Sequence, residues 1–478
     1  MRLTLAAIAA AMGAVGDLGA LENVVPAGIQ TDSRLLGPGE LFVGLAGENF
    51  DGHNFACQAV EKGAVAVVGS QPPGLGCPEE LGVPYLMVPD TVTALGRLAR
   101  RVRDEATAQV VVITGTAGKT TVKEMLAQIL SRVGATCKNH LNLNNRLGLP
   151  RSIFEADPDA AFWVLEAGIN MEGEMDELGA AAGPDLAIIV NVGPGHLEGL
   201  GDVEGVARNK CRILAHLAEG GRGLINLDYP ELVSAAFSLE PRCIGFSAKP
   251  LENGEAGKLK GLARYHGEYA GQDENGRSRF VVDLDGETIE VNLDVPGPLM
   301  AENVTAAASA AHLLGVEPAT IADALAAIEY PQQRFARRVV GSWLVIDDSY
   351  NANPLSMGRA LASARTAAGE KPLVCVLGEM RELGAKASEA HELLGREIAA
   401  AEPVAVFWKG GEYDAIRSGL ASGGYERKAT QVSGAEDFVN AWRSLSMDDV
   451  PGGVILFKAS RSIRMEQLAQ AFIKEHAA

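Results

Sequence analysis

The segment VVVITGTAGKTT, residues 110–121, constrains this 478-residue chain more than any other stretch. Its run of β-branched residues suits a strand buried on both faces of a parallel sheet. Gly115 and Gly118 then let the backbone turn tightly with its N–H groups converging, and a helical pattern over residues 120–132 follows. A strand, a glycine loop and a helix N-terminus carrying partial positive charge make a phosphate cradle out of Gly115, Thr116, Ala117, Gly118, Lys119, Thr120 and Thr121. Lys119 reaches the outer phosphates, and Thr120 offers a hydroxyl to magnesium. Only Thr116 and Ala117 separate the two glycines, fewer than in the common G-x-x-x-x-G-K-[ST] loop, but the flanking elements keep the physics.

The same alternation continues along the chain. Short apolar runs at 162–165, 186–190 and 223–226 read as parallel strands, and 303–314 as a helix, so the middle of the chain is predicted to be a doubly wound α/β domain. RFVVDLDGETIEVNL, residues 279–293, breaks the rhythm with two alternating runs around Asp285-Gly286, a dipeptide suited to a tight hairpin turn. After Pro331 strands restart at 343–346, 373–377, 404–407 and 454–457, each ending in polar or glycine residues that line the carboxyl edge of an open sheet. Three units are expected: residues 1–106, 107–329 and 330–478. A chain of this length and 47% hydrophobic content should bury several cores rather than one.

A net charge of −19 and a pI near 5.0 argue against nucleic-acid binding, which needs a basic surface. Six scattered cysteines without a C-x-x-C pair or a zinc-type cluster read as reduced thiols, which points to the cytoplasm. The opening residues MRLTLAAIAAAMGAVG superficially resemble a secretion signal. Leu5, Ile8, Ala9 and Met12 equally fit one face of an amphipathic helix. No uninterrupted apolar run of about 18 residues is long enough to span a bilayer, so no membrane insertion is expected.

Other residues join the phosphate loop by their own chemistry. Glu166, at the end of the next strand, is placed either to bind magnesium beside Thr120 or to cap the strand and pair with a basic residue. In IDDSYNANPLSM, residues 346–357, Asp347 or Asp348 can take ribose hydroxyls, and Asn351, Asn353 and Pro354 form a constrained polar turn. Arg334 can approach phosphates.

These segments resemble the Mur ligase family, ATP-dependent amide-bond ligases whose phosphate loop folylpolyglutamate synthases share. The resemblance implies a three-domain α/β architecture: a UDP-substrate domain, a central P-loop-type ATP domain and a C-terminal Rossmann-like domain. HLNLNNRLGLP, with Asn142, Asn144 and Asn145, and the string D-D-S-Y-N-A-N-P, including Tyr350, resemble the members that add D-alanyl-D-alanine to UDP-N-acetylmuramoyl-tripeptide. So does L-G-E-M-R-E-L-G, residues 377–384, whereas the D-N-P-R signature of the member adding the third residue is absent.

By the same resemblance His196, in NVGPGHLEGLG, contacts a second magnesium, and Asn303 flanks adenine. Lys210 stands where several members carry a lysine carbamylated by carbon dioxide, leaving a carbamate ligand or a plain lysine paired with phosphate as two open readings. Lys458, Ser460 and Arg461 are similar to a closing K-G-S-R, with Ala459 in place of glycine. Leu299 and Met300 depart from the usual His and Asn. At the other end, Ser33 and Arg34 would hold a diphosphate, while Gly47, Asp51, Gly52 and His53 shape the pocket. The implied catalytic set is Lys119, His196 and Lys210, with Thr120, Glu166, His196 and Lys210 as magnesium ligands, ATP and Mg2+ as cofactors, and a cytoplasmic monomer as the working form.

Overall fold

The computed structural model describes residues 2–47, 50–74, 81–140, 142–240, 242–249, 263–274, 277–295, 297–329 and 333–476. Cys77 and the junction at 330–332 lie outside these, as does the side chain of Leu299.

Three sheets divide the described chain. The first is small and parallel, in the order Ile29–Gln30, Leu41–Val43, Ala66–Gly69, Tyr85–Met87. It packs with the opening helix Leu5–Met12, whose buried residues are Leu5, Ile8, Ala9 and Met12, the face the spacing foretold. Thr4 caps that helix through the Ala7 N–H, and Gly13, at φ 66°, ends it. The helix Thr91–Glu105 then joins this unit to the next. Its apolar face, including Leu95 and Leu98, packs on Leu5–Met12 and on the helices Gly148–Glu155 and Glu174–Ala182. Arg103 adds bonds to the Gly183 carbonyl and to Asp185.

The central sheet has nine strands in the order Glu287–Leu293, Ser278–Leu284, Ala263–Gln272, Ile244–Ser247, Arg222–Asn226, Leu186–Ile189, Gln109–Thr114, Phe162–Glu166, Thr136–Lys138. From Gln109–Thr114 the chain builds outward on one side and then crosses to the other, so the loop after that strand opens at the point where strand order reverses. That is where open α/β sheets bind ligands. Strand periodicity explains the apolar run: Val110 and Val112 enter one core, Val111 and Ile113 the other. Each fully buried side chain of this size contributes about 1.5–3 kcal/mol relative to exposure. The expected hairpin is present, with Leu284 opposite Glu287 and both turn residues at positive φ (Asp285 60°, Gly286 100°). Ala263–Gln272 extends it to three antiparallel strands.

The C-terminal sheet runs Ala336–Val340, Trp343–Asp347, Gly453–Lys458, Leu373–Gly378, Ala405–Lys409, Thr430–Gln431, parallel except for its first strand. One face is closed by an aromatic cluster in which Trp442 packs edge-on against Trp343, Phe438 and Phe472. Among the described residues no helix is long and apolar enough to cross a membrane. Cys211, Cys243 and Cys375 are buried thiols, but Cys57 is disulfide-bonded, which corrects the expectation of six reduced cysteines.

Candidate active site

The phosphate loop forms as expected between the strand Gln109–Thr114 and the helix Lys119–Leu130. Gly118 sits at φ 79°, and a Cβ there would lie 2.2 Å from Asn303 Oδ1, so both conformation and space demand glycine. The Lys119 ammonium folds back 2.9 Å from the Gly115 carbonyl. Burial pulls its pKa below the ordinary lysine value; Glu166 opposes that pull and Arg334 adds to it.

Behind the loop, the Thr120 hydroxyl donates to Glu166 Oε2 at 2.6 Å and the Asn144 amide donates to Glu166 Oε1 at 2.7 Å. Asn139 fixes the end of that strand by bonding both the N–H and the carbonyl of Glu166, and its own carbonyl accepts from buried Lys123. Burial pushes the Glu166 carboxyl up, but Lys119, Arg334, the Thr120 bond and Lys123 outweigh it and hold the group ionised below the usual range.

His196 begins the short helix Leu197–Leu200 at φ 55°. Its Nδ1 lies 2.5 Å from Glu382 Oε2 of the C-terminal unit, and this contact holds the Glu382 carboxyl below its ordinary pKa against the pull of burial. Lys210, on the helix Val203–Cys211, is fully buried. Burial and then Lys119 depress its pKa well below the ordinary lysine value, against the pull of Glu166. It lies behind the cavity wall rather than in it.

The C-terminal unit supplies the facing wall. Lys458 Nζ bridges Asp348 Oδ2 at 2.5 Å and the Asn351 carbonyl at 2.9 Å. The Arg334 guanidinium stacks 3.9 Å from the centre of the Tyr350 ring. Asn353 caps the helix Pro354–Ala368 and also donates to the Thr116 carbonyl at 3.1 Å, so this unit touches the phosphate loop directly. Of the paired aspartates, Asp348 faces the cavity, while Asp347 turns away onto the Ser349 N–H, its pKa raised by burial. Ser460 also lies outside, holding the Arg381 N–H and the Ala352 carbonyl.

Together these walls enclose a cavity of about 590 Å³. Thr116 to Thr121, Asn142, Asn144, Asn145, Glu166, His196 and Asn303 line it from the central unit; Arg334, Asp348, Tyr350, Asn351, Asn353 and Lys458 do so from the C-terminal one. Asn145 also caps the Gly148 N–H, and Met300 accepts from the Asn303 amide, leaving Asn303 Oδ1 buried without a partner. The N-terminal residues lie elsewhere. Ser33 bonds Gln58, exposed Arg34 pairs with Asp32, and Gly47 N–H closes a turn onto Phe50. Buried His53 engages both its nitrogens, with Asp51 and the Ser70 N–H.

Among the described residues no three His, Cys, Asp or Glu side chains converge as a metal cage. Magnesium rarely needs one, because it keeps waters and takes one or two carboxylates with substrate phosphates. The hard oxygens of Thr120 and Glu166 fit such an ion, and the His196 ring borders the same cavity.

Sequence reasoning missed the residues that hold the loop from behind. Asn191 Oδ1 accepts the N–H groups of Thr116 at 3.1 Å and Ala117 at 2.9 Å. Glu302, Tyr229 and Arg359 form a polar cluster beside it. Asn191 carried a signal, standing at a strand end in NVGPGH; the other three did not.

Three family models match the chain: the Mur ligase family catalytic domain over residues 26–103, the Mur ligase middle domain over 113–311, and the Mur ligase glutamate ligase domain over 333–461. A UDP-N-acetylmuramoyl-tripeptide–D-alanyl-D-alanine ligase from Escherichia coli K12 is 32% identical over 93% of each chain. The crystal structure of MurF from Acinetobacter baumannii superposes with a TM-score of 0.83 at 29% identity over 98% of both chains. MurF from Thermotoga maritima, solved in complex with ADP, gives 0.78 at 25% identity over 94% of this chain and 97% of that one. With a full-length relative at that identity and three domain models in order along it, the chain belongs to the Mur ligase family.

Proposed function

We propose that this chain joins D-alanyl-D-alanine to UDP-N-acetylmuramoyl-tripeptide at the expense of ATP, giving the pentapeptide nucleotide, ADP and phosphate for peptidoglycan. The observation that carries the reading is the single cavity in which the phosphate loop of one unit faces the Asp348–Asn353 turn and Lys458 of another. Such a site holds a nucleotide between two units and leaves room for an acceptor.

The tripeptide's terminal carboxylate attacks the γ-phosphorus, the bond to the β-phosphate oxygen breaks, and ADP leaves an acyl phosphate. The dipeptide amine then attacks the acyl carbon and phosphate departs, with one proton lost from nitrogen. Phosphoryl transfer depends on positioning and charge neutralisation, and these residues supply both. The loop N–H groups and Lys119 hold the phosphates; Arg334 and Lys458 add positive charge opposite them. Asp348 takes the ribose, and Asn303 Oδ1 is free to accept from the base. Thr120, Glu166 and His196 would hold magnesium, which spreads the charge building on the transferred group. Lys210 is buried and biased toward the neutral amine, the form that adds carbon dioxide, so a carbamate there would supply a further anionic ligand. Ser33, Arg34, Gly47, Asp51 and His53 belong to the unit we assign to the UDP moiety, and Tyr350, Asn351 and Asn353 to the incoming dipeptide. Domain limits at 106/107 and 329/330, a cytoplasmic location and a monomer complete the reading.

The test is ADP release by the purified chain with ATP and magnesium. Release should require both the tripeptide nucleotide and D-alanyl-D-alanine, and Lys119→Ala should abolish it without lowering thermal stability. Equal release with either substrate omitted, or near-normal turnover by Lys119→Ala, overturns the reading.

A further inference from the structure

Glu302 is an anomaly in its helix. Ala301–Leu313 is otherwise a buried, alanine-rich element, yet its second residue is a carboxylate only 8% exposed. A buried charge persists only where it is paired and hydrogen-bonded, and Glu302 is both. Oε1 accepts from the Tyr229 hydroxyl at 2.6 Å and from Arg359 Nη2 at 2.9 Å. Oε2 accepts from Asn191 Nδ2 at 2.7 Å and lies 2.8 Å from the same guanidinium. Arg359 also reaches the Tyr229 hydroxyl, at 2.6 Å.

The partners connect two things that would otherwise be independent. The Asn191 NH2 donates to Glu302 and to the Ala117 carbonyl at 3.0 Å, which sets its Oδ1 on the N–H groups of Thr116 and Ala117; the Asn191 backbone carbonyl also accepts from the Thr116 N–H. Arg359 rides on the helix Pro354–Ala368, whose cap Asn353 grips the Thr116 carbonyl from the opposite side. The phosphate loop is therefore held on one side by the cap of a C-terminal helix and on the other through a chain that ends on the same helix.

We propose that Glu302 and Arg359 are positioning residues that couple nucleotide binding to docking of the C-terminal unit, by fixing the Asn191 amide and through it the Thr116–Ala117 backbone. This rests on the ligase reading above for its consequence in turnover. Coupling is reciprocal: what steadies the loop steadies the docked helix, and nucleotide on the loop favours docking by the same factor. A rival explanation is that Arg359, which also borders the cavity, touches the nucleotide by itself.

A double-mutant cycle on the full chain separates the two, with ADP affinity measured calorimetrically for Glu302→Gln, Arg359→Met and the pair. Each single variant should weaken ADP binding on the order of tenfold, and the pair should be no weaker than the worse single variant. In steady state the loss should fall on the KM for ATP, with kcat at saturating ATP recovering to within about threefold, because nucleotide binding drives docking. Tyr229→Phe removes one bond to the carboxylate without burying a bare charge; it should show the same pattern at about two- to threefold and replaces Glu302→Gln in the cycle if that variant does not fold. Factors that multiply in the pair, or unchanged ADP affinity in the single variants, overturn the proposal. If the wild-type chain shows no ADP release dependent on tripeptide nucleotide and dipeptide, but the binding cycle behaves as stated, the ligase reading fails and the coupling stands.

Discussion

The Thr120 hydroxyl and the Glu166 carboxylate lie 2.6 Å apart across the base of the phosphate loop, one from the start of a helix and the other from the end of the neighbouring strand. Their approach needs the tight turn at Gly118, since that turn sets where the helix begins. Gly118→Ala should therefore act on nucleotide binding more than on folding. The left-handed backbone alone costs an ordinary residue about 1–2 kcal/mol, and the new methyl would meet Asn303 Oδ1 at 2.2 Å. We expect ADP affinity to fall by at least about tenfold. Unchanged affinity in this variant would show that the nucleotide does not rely on this loop geometry.

Lys210 gives a chemical prediction. Its amine is buried near Glu166 and Lys119 and is biased toward the neutral form, and a neutral amine is what carbon dioxide attacks. Lys210→Ala should lose ligase activity, and added formate or acetate should restore part of it by filling the vacated anionic position. The wild-type protein should also carry an extra 44 Da in native mass spectra under carbon dioxide, on the order of one carboxyl group per site. Loss of activity without rescue, together with an unmodified mass, would leave Lys210 as a plain lysine.

The nucleotide half of this site was legible in the sequence because it is local. Gly115 to Thr121 is one strand-turn-helix, and its β-branched run and glycines announce themselves. The hairpin turn at Asp285-Gly286 is local in the same way. The choice between Asp347 and Asp348 was not, because successive residues leave a strand on opposite faces and the sequence does not say which face borders the cavity. Asn191, Glu302, Tyr229 and Arg359 meet only through the fold, from three helices or loops and a strand end far apart in the chain. No spacing rule reaches that far. Ser460 shows the converse: it sits in a recognisable string but serves the backbone of its own unit.

Asp176 provides a test of stability against pH away from the cavity. It sits in the first turn of Glu174–Ala182 and accepts from Arg212 and from His216 Nε2. Burial raises its pKa, but Arg212 and then His216 outweigh burial, and the folded value lies below the ordinary one. A depressed carboxylate adds stability that is fully present above its unfolded pKa, near 3.9, and is lost as pH falls through the folded value. Asp176→Asn should therefore unfold earlier than wild type at pH 7, by about 1 kcal/mol once partial solvent exposure is allowed for. The gap between the two proteins should narrow as the pH falls below about 3.9 and through the folded value. A gap that persists unchanged at pH 3 in thermal melts would mean that the loss comes from packing and not from the ionised carboxylate.

The last prediction concerns closure. Polar contacts around the cavity bind the C-terminal unit to the central one, among them Asn353 on Thr116, Arg359 on Glu302 and Tyr229, and Glu382 beside His196. Contacts between units of one chain are mostly polar and can be exchanged for water, so we expect the two units to separate unless ligands bridge them. ATP would bridge them, since the loop that takes its phosphates and Asp348, which we place at its ribose, stand on opposite walls. Closure would then shield the acyl phosphate from water before the dipeptide amine attacks. Solution scattering should give a smaller radius of gyration with a non-hydrolysable ATP analogue and the UDP-tripeptide than without them. Asp348→Ala should weaken that response, because it removes the proposed ribose contact and leaves Lys458 without its carboxylate. An unchanged radius with both ligands demonstrably bound would mean that the walls are preassembled, and that the contacts at Asn353, Arg359 and Glu382 fasten a rigid molecule instead of a closing one.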